Sequence, residues 1–452
     1  MTLKIPCLIS TLLVILCSTQ ANTQVLHEYQ RLAPDAIAEY DSFGFAIASN
    51  DDYIAISGPG VDRDDGGFGV VYIFDAITGD QIHTIEPVDA QQEENFGRTL
   101  SISDNQIAVG TMVFQGSDRV LNSVSIYDLQ TGKQLIKIPL DGFQQRDFTR
   151  SMIALSGDIL AIGSPFDSDV GDYSGAAYLY DANTGEQLQK LYPSDPAIFG
   201  YFGLVLTIHG DALAILSPNG RGHDRSSVVY LFDITTGDEM SIVPPSSEAH
   251  SRNTAQAIAM NDQYIAMSSL YDRKVWLFDR ATGMQTAELE TQDGQDGSDD
   301  VNLDVFGYSI AIDEDLLLVS APVDAQNGSS AGAAYVFDLL THSQVAKLLP
   351  RDGTRNQQFG HPLILSNSKA IVAETFNDDF GRRSGAVYQF DTTSIHRCSP
   401  DFDDNGLLNT TDIQLFIKQY TSNDPSADFD VDGLFNFYDI SEFIHEFTTG
   451  CP

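Results

Sequence analysis

One motif returns seven times along this chain at almost constant spacing. It reads Phe-Gly, a short alternating apolar run, a tight turn, and a second run of the type Ile-Ala-Ile-Ser-Gly-Pro. The anchors are Phe43, Phe96, Phe148, Phe202, Thr254, Phe306 and Phe359, and successive gaps are 53, 52, 54, 52, 52 and 53 residues. Each unit carries four strand-like runs, A to D. In the first unit they are 43–48, 53–57, 70–74 and 81–86. Period-two alternation, Val/Ile/Tyr/Phe enrichment and Gly/Asp/Asn joints favour strands over helices. One such unit cannot bury its own apolar faces, so the units must stack around a common axis. The expected fold is all-β: a seven-bladed propeller of four-stranded blades over residues 24–396.

The A–B joints are short, as at Ser49-Asn50-Asp51-Asp52, Ser156-Gly157-Asp158 and His209-Gly210-Asp211. Hairpin turns use Gly, Asn and Asp because these tolerate positive φ. Strand C ends in Asp in all seven copies: Asp75, Asp128, Asp181, Asp233, Asp279, Asp338 and Asp391. Thr-Gly follows in five of them, as at Thr78-Gly79 and Thr184-Gly185. Seven metal sites are one reading of these carboxylates. A turn residue capping nearby backbone N–H groups is the simpler one, and the one adopted.

These residues resemble FG-GAP repeats, known from integrin α-subunits and many bacterial surface proteins. Phe43-Gly44, Phe96-Gly97, Phe202-Gly203, Phe306-Gly307 and Phe359-Gly360 match the first element. Ser57-Gly58-Pro59, Gly163-Ser164-Pro165 and Ser320-Ala321-Pro322 look like the second. Gly175-Ala176-Ala177-Tyr178 and Gly385-Ala386-Val387-Tyr388 look like the strand that follows. The resemblance covers roughly residues 40–391. Thr254-Ala255 and Phe148-Thr149 depart from it. The family often carries a calcium loop between strands A and B, and the joints here are too short for one.

The seventh repeat runs out after strand C at Thr392-Thr393-Ser394, whereas residues 25–32, before the first repeat, read like a strand D. The N-terminal segment should therefore complete blade seven and close the ring. Residues 1–21 read as a signal peptide: Lys4, an apolar core from Leu8 to Cys17, and Thr19-Gln20-Ala21 as a small-residue cleavage site. A lipid anchor at Cys17 is the alternative, with the large Leu16 against it. No later stretch is long enough for a membrane helix.

Removing the leader, whose one charged residue is Lys4, takes the formal net charge from −40 to −41. Such a surface repels nucleic acid and suits an exported protein. Two of the four cysteines lie in the leader. The other two, Cys398 and Cys451, flank the last segment, and in an oxidising compartment a disulfide between them is expected.

That last segment, 397–452, carries the sharpest chemistry. Asp401, Asp403, Asn405, Gly406, Asn409 and Asp412 occupy positions 1, 3, 5, 6, 9 and 12 of a calcium loop. Asp428, Asp430, Asp432, Gly433, Asn436 and Asp439 repeat the pattern 27 residues later. Calcium takes six or more hard oxygens in a flexible cage, with position-7 carbonyls here from Leu407 and Leu434 and Gly at position 6 for the bend. Amphipathic helices are expected over 413–420 and 440–447. Ile413, Phe416, Ile417, Ile440, Phe443 and Ile444 should form their small core. The pair resembles a dockerin-type module with EF-hand-like loops. That resemblance implies two bound calcium ions and a cohesin-like docking partner. Positions 10 and 11, which help dockerins choose that partner, are Thr410-Thr411 and Phe437-Tyr438, so the two halves differ.

No His-Glu-x-x-His, Gly-x-Ser-x-Gly or phosphate loop is present. Quinoprotein dehydrogenases share the Asp-x-x-Thr-Gly turn, but their propellers rely on a Trp in each blade and this chain has only Trp276. The expectation is a secreted or cell-surface binding protein, not an enzyme. Its long B–C and D–A loops would present a protein or polysaccharide ligand site, and its C-terminal module would dock it. A polysaccharide-active enzyme on the same scaffold is the alternative. The long loops are expected at 59–68, 111–122, 164–174, 290–304 and 321–331, all on one face.

Overall fold

The computed structural model describes residues 24–34, 37–60, 68–88, 95–115, 118–140, 152–220, 226–243, 255–270, 272–291, 305–393, 395, 402, 408–422, 427, 436, 439–441, 443–444 and 447. Seven sheets follow one another along the chain, each built on four antiparallel strands that lie side by side in the order A-B-C-D. Blade one is Ile47–Ser49, Tyr53–Gly58, Val70–Asp75 and Gln81–Ile85. Strands B and C are nearly all buried, because both faces of a blade pack against neighbouring blades. Clusters such as Ile56, Phe74, Ile371 and Val387 join blade one to blade seven across one of these contacts. The fold is a seven-bladed propeller of four-stranded blades.

The ring closes as expected, with one refinement. Gln30–Leu32 pairs antiparallel with Ala386–Asp391 and is strand D of blade seven. Gln24–Leu26 instead pairs parallel with Ser343–Leu348 and adds a fifth strand to blade six. The chain switches blades at His27, whose Nδ1 lies 2.9 Å from the Leu349 carbonyl oxygen, while the Leu349 N–H donates to Leu26 at 3.1 Å. The segment read as one strand is thus a staple across two blades.

Two further expectations are corrected. Strand A does not begin at Phe43 but at Ile47. Phe43 itself sits in the crossover, bridging to Gly385 of blade seven. The segment 111–122 is not an open loop. Gln106–Gln115 and Asp118–Asp128 run on as a paired ribbon to Gln115↔Asp118. Its backbone groups pair across the ribbon, Met112 opposite Leu121 and Val113 opposite Val120, where an open loop would leave them to water.

All seven strand-C aspartates are turn caps. Asp75 Oδ1 accepts from the N–H groups of Ile77 and Thr78 at 2.9 and 2.7 Å. Asp181, Asp233 and Asp338 repeat that pair of bonds. Asp128, Asp279 and Asp391 cap the N–H of a following Thr. These N–H donors hold Asp75, Asp181 and Asp233 below the ordinary carboxylate range, and the Thr131 and Thr282 hydroxyls, with the same N–H groups, do so for Asp128 and Asp279. Among the described residues no helix is long and apolar enough to cross a membrane.

Candidate functional site

The Phe-Gly motif is an interlock between blades. At four joints the Phe N–H donates to the residue before a glycine that opens strand C of the previous blade: Phe43 to Ser384, Phe96 to Phe68, Phe202 to Ser174 and Phe359 to Ala331, at 2.9–3.0 Å. The glycines are Gly385, Gly69, Gly175 and Gly332, with φ between 80° and 93°. A Cβ on any of them would run into the Phe backbone. The Phe ring turns into its own blade and meets strand C edge-on. Phe43 lies 5.5 Å from Tyr72, Phe202 5.4 Å from Tyr230, and Phe359 5.8 Å from Tyr388. Two departures co-occur, while blade five has Arg273 in the glycine's place before an intact Phe306-Gly307. Blade four has Ser227 in place of the glycine, and blade five answers with Ala255, whose N–H reaches Ser227 Oγ at 3.4 Å. Blade two has Asn122 there, and its partner position reads Phe148-Thr149.

Because the strands alternate in direction, B–C and D–A connections share one face. On that face blades three, six and seven build the same loop. It runs from Asp167, Asp324 or Asn377 to Gly175, Gly332 or Gly385, closed by an N–H to O bond of 3.0–3.1 Å between the two ends. Each loop is braced by a cation from strand D and a Tyr from strand C. In blade six Lys347 Nζ meets Asp324 at 2.8 Å, and the Tyr335 hydroxyl donates to Asp324 at 2.7 Å. The pair is essentially solvent-free, so removing one partner would strand a buried charge at a cost of about 3–5 kcal/mol. In blade three Lys190 bridges Asp167 at 2.7 Å and Asp169 at 2.6 Å, and Tyr178 donates to Asp167 at 3.1 Å. Burial pushes the Tyr178 hydroxyl up to about 12. Blade seven takes its cation from the N-terminal strand. Arg31 reaches Asp379 at 2.7 Å and Asn377 at 3.2 Å, and Tyr388 donates to Glu374 at 3.0 Å. Glu374 has no exposed surface, and burial pushes its carboxyl up to about 7.

The B–C loop of blade three and the D–A connection into blade four hold an aromatic cluster. Phe166 lies 5.8 Å from Tyr173 and 5.5 Å from Tyr201, and Phe199 lies 5.6 Å from Tyr173. Tyr173, Phe199 and Tyr201 all have left-handed backbone, with φ of 51°, 57° and 54°. Such conformations cost bulky residues roughly 1–3 kcal/mol each. Backbone bonds hold them: Phe199 N–H to Asp172 at 2.8 Å and Tyr201 N–H to Tyr173 at 3.0 Å. Phe199 is 47% exposed, Ile198 63% and Val170 43%. The exposed Asp172 and Asp195 stand on the same two segments. The sequence analysis placed a long loop at 164–174 and missed its aromatics. Phe199-Gly200-Tyr201 just before Phe202 was the available signal.

Of the calcium-loop residues, Asn409, Asp412, Asn436 and Asp439 fall among the described residues. Asp401, Asp403, Asn405, Leu407, Asp428, Asp430, Asp432 and Leu434 lie outside them, as do Cys398, Cys451 and the leader. Asn409 caps the helix Thr410–Ser422, its Oδ1 accepting from the Thr411 N–H at 2.8 Å. Asp412 reaches back to the Asn409 N–H at 2.8 Å, forming a reciprocal capping box. Asp439 makes the same bond to the Asn436 N–H at 2.7 Å. Both aspartates are fully buried, and the two positions are equivalent in geometry as in sequence. The Tyr420 hydroxyl donates to the Asn436 carbonyl oxygen at 2.9 Å and ties the first helix to the second loop. Buried carboxylates at position 12, clamped by the helix start, fit a hard cation. The small core includes Phe416 stacked on Phe443 at 3.8 Å, with Ile413 and Ile440 beside them. Ile417 and Ile444, expected in that core, are each 53% exposed. Each follows its core Phe by one residue, about 100° around a helix, and so turns outward.

Residues 138–180, 285–337 and 342–390 match the FG-GAP repeat family. These stretches contain or adjoin the braced loops of blades three, six and seven. No curated protein matches the chain.

Proposed function

We propose that this protein is a secreted or cell-surface binding protein, without catalytic activity, whose loop face captures a protein or polysaccharide ligand. FG-GAP repeats are typical of extracellular and surface proteins. One observation carries the reading: the conformationally costly aromatic cluster of half-buried Tyr173 and Tyr201 and exposed Phe199 on the face where the braced loops stand. Loops fixed on a rigid scaffold are where recognition sits, and aromatic rings supply contact area at small entropic cost. The C-terminal module is read as a calcium-dependent dockerin-like unit holding two ions and engaging a cohesin-like partner. The exposed Ile417 and Ile444 supply an apolar contact for that partner. Strand C of blade seven leads away from the loop face, so the chain leaves the ring on the opposite side.

The test is a glycan and matrix-protein array probed with the full exported chain, run beside a hydrolysis screen on the same ligands. Binding without turnover is expected. Phe199→Ser should abolish binding with little change in melting temperature. Turnover that disappears on replacing one carboxylate pair would establish the polysaccharide-active alternative instead.

A further inference from the structure

Strand A of every blade but the third lines a central channel of about 420 Å³. Its chemistry is the reverse of the exterior. The chain has 64 Asp and Glu against 24 Lys and Arg. Yet among the described residues that line the channel there is no carboxylate, while Arg98, Gln256, Tyr308 and His361 all face it. These four occupy one repeat position, directly after the two-residue anchor motif, and so form a belt near the end where the D–A connections arrive. Phe45 holds the same position in blade one, and the Arg98 guanidinium lies 4.1 Å over its ring. Tyr308 meets His361 edge-on at 4.4 Å. Arg98 is 5% exposed and keeps further interactions of its own, so it is a fixed donor, not a mobile surface charge.

We propose that this belt binds a small molecule carrying one carboxylate and several hydroxyls, of the sugar-acid class. A guanidinium pairs with a carboxylate by two parallel hydrogen bonds. Gln256, Tyr308 and His361 match hydroxyl groups around the rest of the ring. The volume lies in the range of small-molecule sites and exceeds what a simple inorganic anion fills. The acidic exterior disfavours polyanions, which limits the ligand to a single negative charge. The site is separate from the loop-face aromatics and does not depend on the binding function proposed above.

The test is titration calorimetry on the full exported chain with D-glucuronate, and with D-glucose as its uncharged counterpart. One-to-one binding of D-glucuronate is expected, weakened about ten-fold or more by Arg98→Gln. Tyr308→Phe, which deletes one hydroxyl and keeps the ring, should weaken it several-fold with an unchanged melting temperature. Phe199→Ser should leave it intact. Absence of saturable D-glucuronate binding, equal affinity in both channel variants, or equally tight binding of D-glucose would overturn the proposal.

Discussion

Arg31 and Asp379, 348 residues apart in sequence, form a 2.7 Å ion pair that locks the N-terminal strand into the last blade. The guanidinium also lies 5.2 Å over Phe380 and 5.5 Å over Tyr388. Ring closure thus rests on side chains as well as on the three-residue ladder of Gln30–Leu32. Arg31→Gln should destabilise the chain by about 1–2 kcal/mol, because the pair is partly solvated and its Coulomb part is screened. Lys347→Gln, at the sealed equivalent in blade six, should cost more, about 3–5 kcal/mol. Urea denaturation of both variants ranks them, and the reverse order would refute the closure argument.

Glu374 gives the ring a pH dependence of definite sign. Its folded carboxyl is raised to about 7 by burial, with Asp352 adding to the shift and Asn377, Tyr388 and Arg31 opposing it. A raised acid favours the protonated form. Its stabilisation is complete below the ordinary value near 4.3 and is lost as pH rises through about 7. Glu374→Gln should match the parent near pH 4 and exceed it above pH 8 by up to ~3 kcal/mol. Parallel stability profiles for the two proteins across that range would show that Glu374 does not titrate there.

A hairpin glycine and an interlock glycine separate backbone strain from close approach. Gly157 has φ of 51° and nothing within 4 Å of an added Cβ, so Gly157→Ala meets only the left-handed penalty, about 1–2 kcal/mol. Gly175 has φ of 86° and would put a Cβ 2.8 Å from the Phe202 carbonyl carbon. Gly175→Ala should cost about 1–3 kcal/mol beyond that. Equal losses in equilibrium unfolding would mean that the joint yields freely.

Calorimetry on the full chain should find about two calcium ions, with Asp412→Asn and Asp439→Asn each weakening one site about ten-fold or more. Ions that bind the folded module alone also raise its stability, so chelation should expose residues 397–452 to protease while the ring stays resistant. Resistance unaltered by chelation would count against the calcium assignment.

The propeller was legible because a 52–54-residue period leaves few alternatives, and the seven turn aspartates because their bonds are local. The braces were not. Lys190 and Asp167 lie 23 residues apart and Arg31 and Asp379 348, and no sequence window joins them. Phe43 was placed in strand A because its alternation continues that strand's pattern, although its backbone bonds to another blade. Ile417 and Ile444 were assigned to a core because helical spacing does not say how wide the buried stripe is. The channel belt was hidden because its residues share a repeat position and no common chemistry.

The joint between blades has a consequence for how such a chain can change. Four of the Phe-Gly pairs are read by a glycine of the blade before, and Ala255 by Ser227. The unit that must stay matched is therefore the seam and not the blade. A loop can be rewritten at its tip without its neighbour registering the difference. Exchanging whole blades would mismatch two seams at once, so blade order is written into the ring like the cut of adjoining keys.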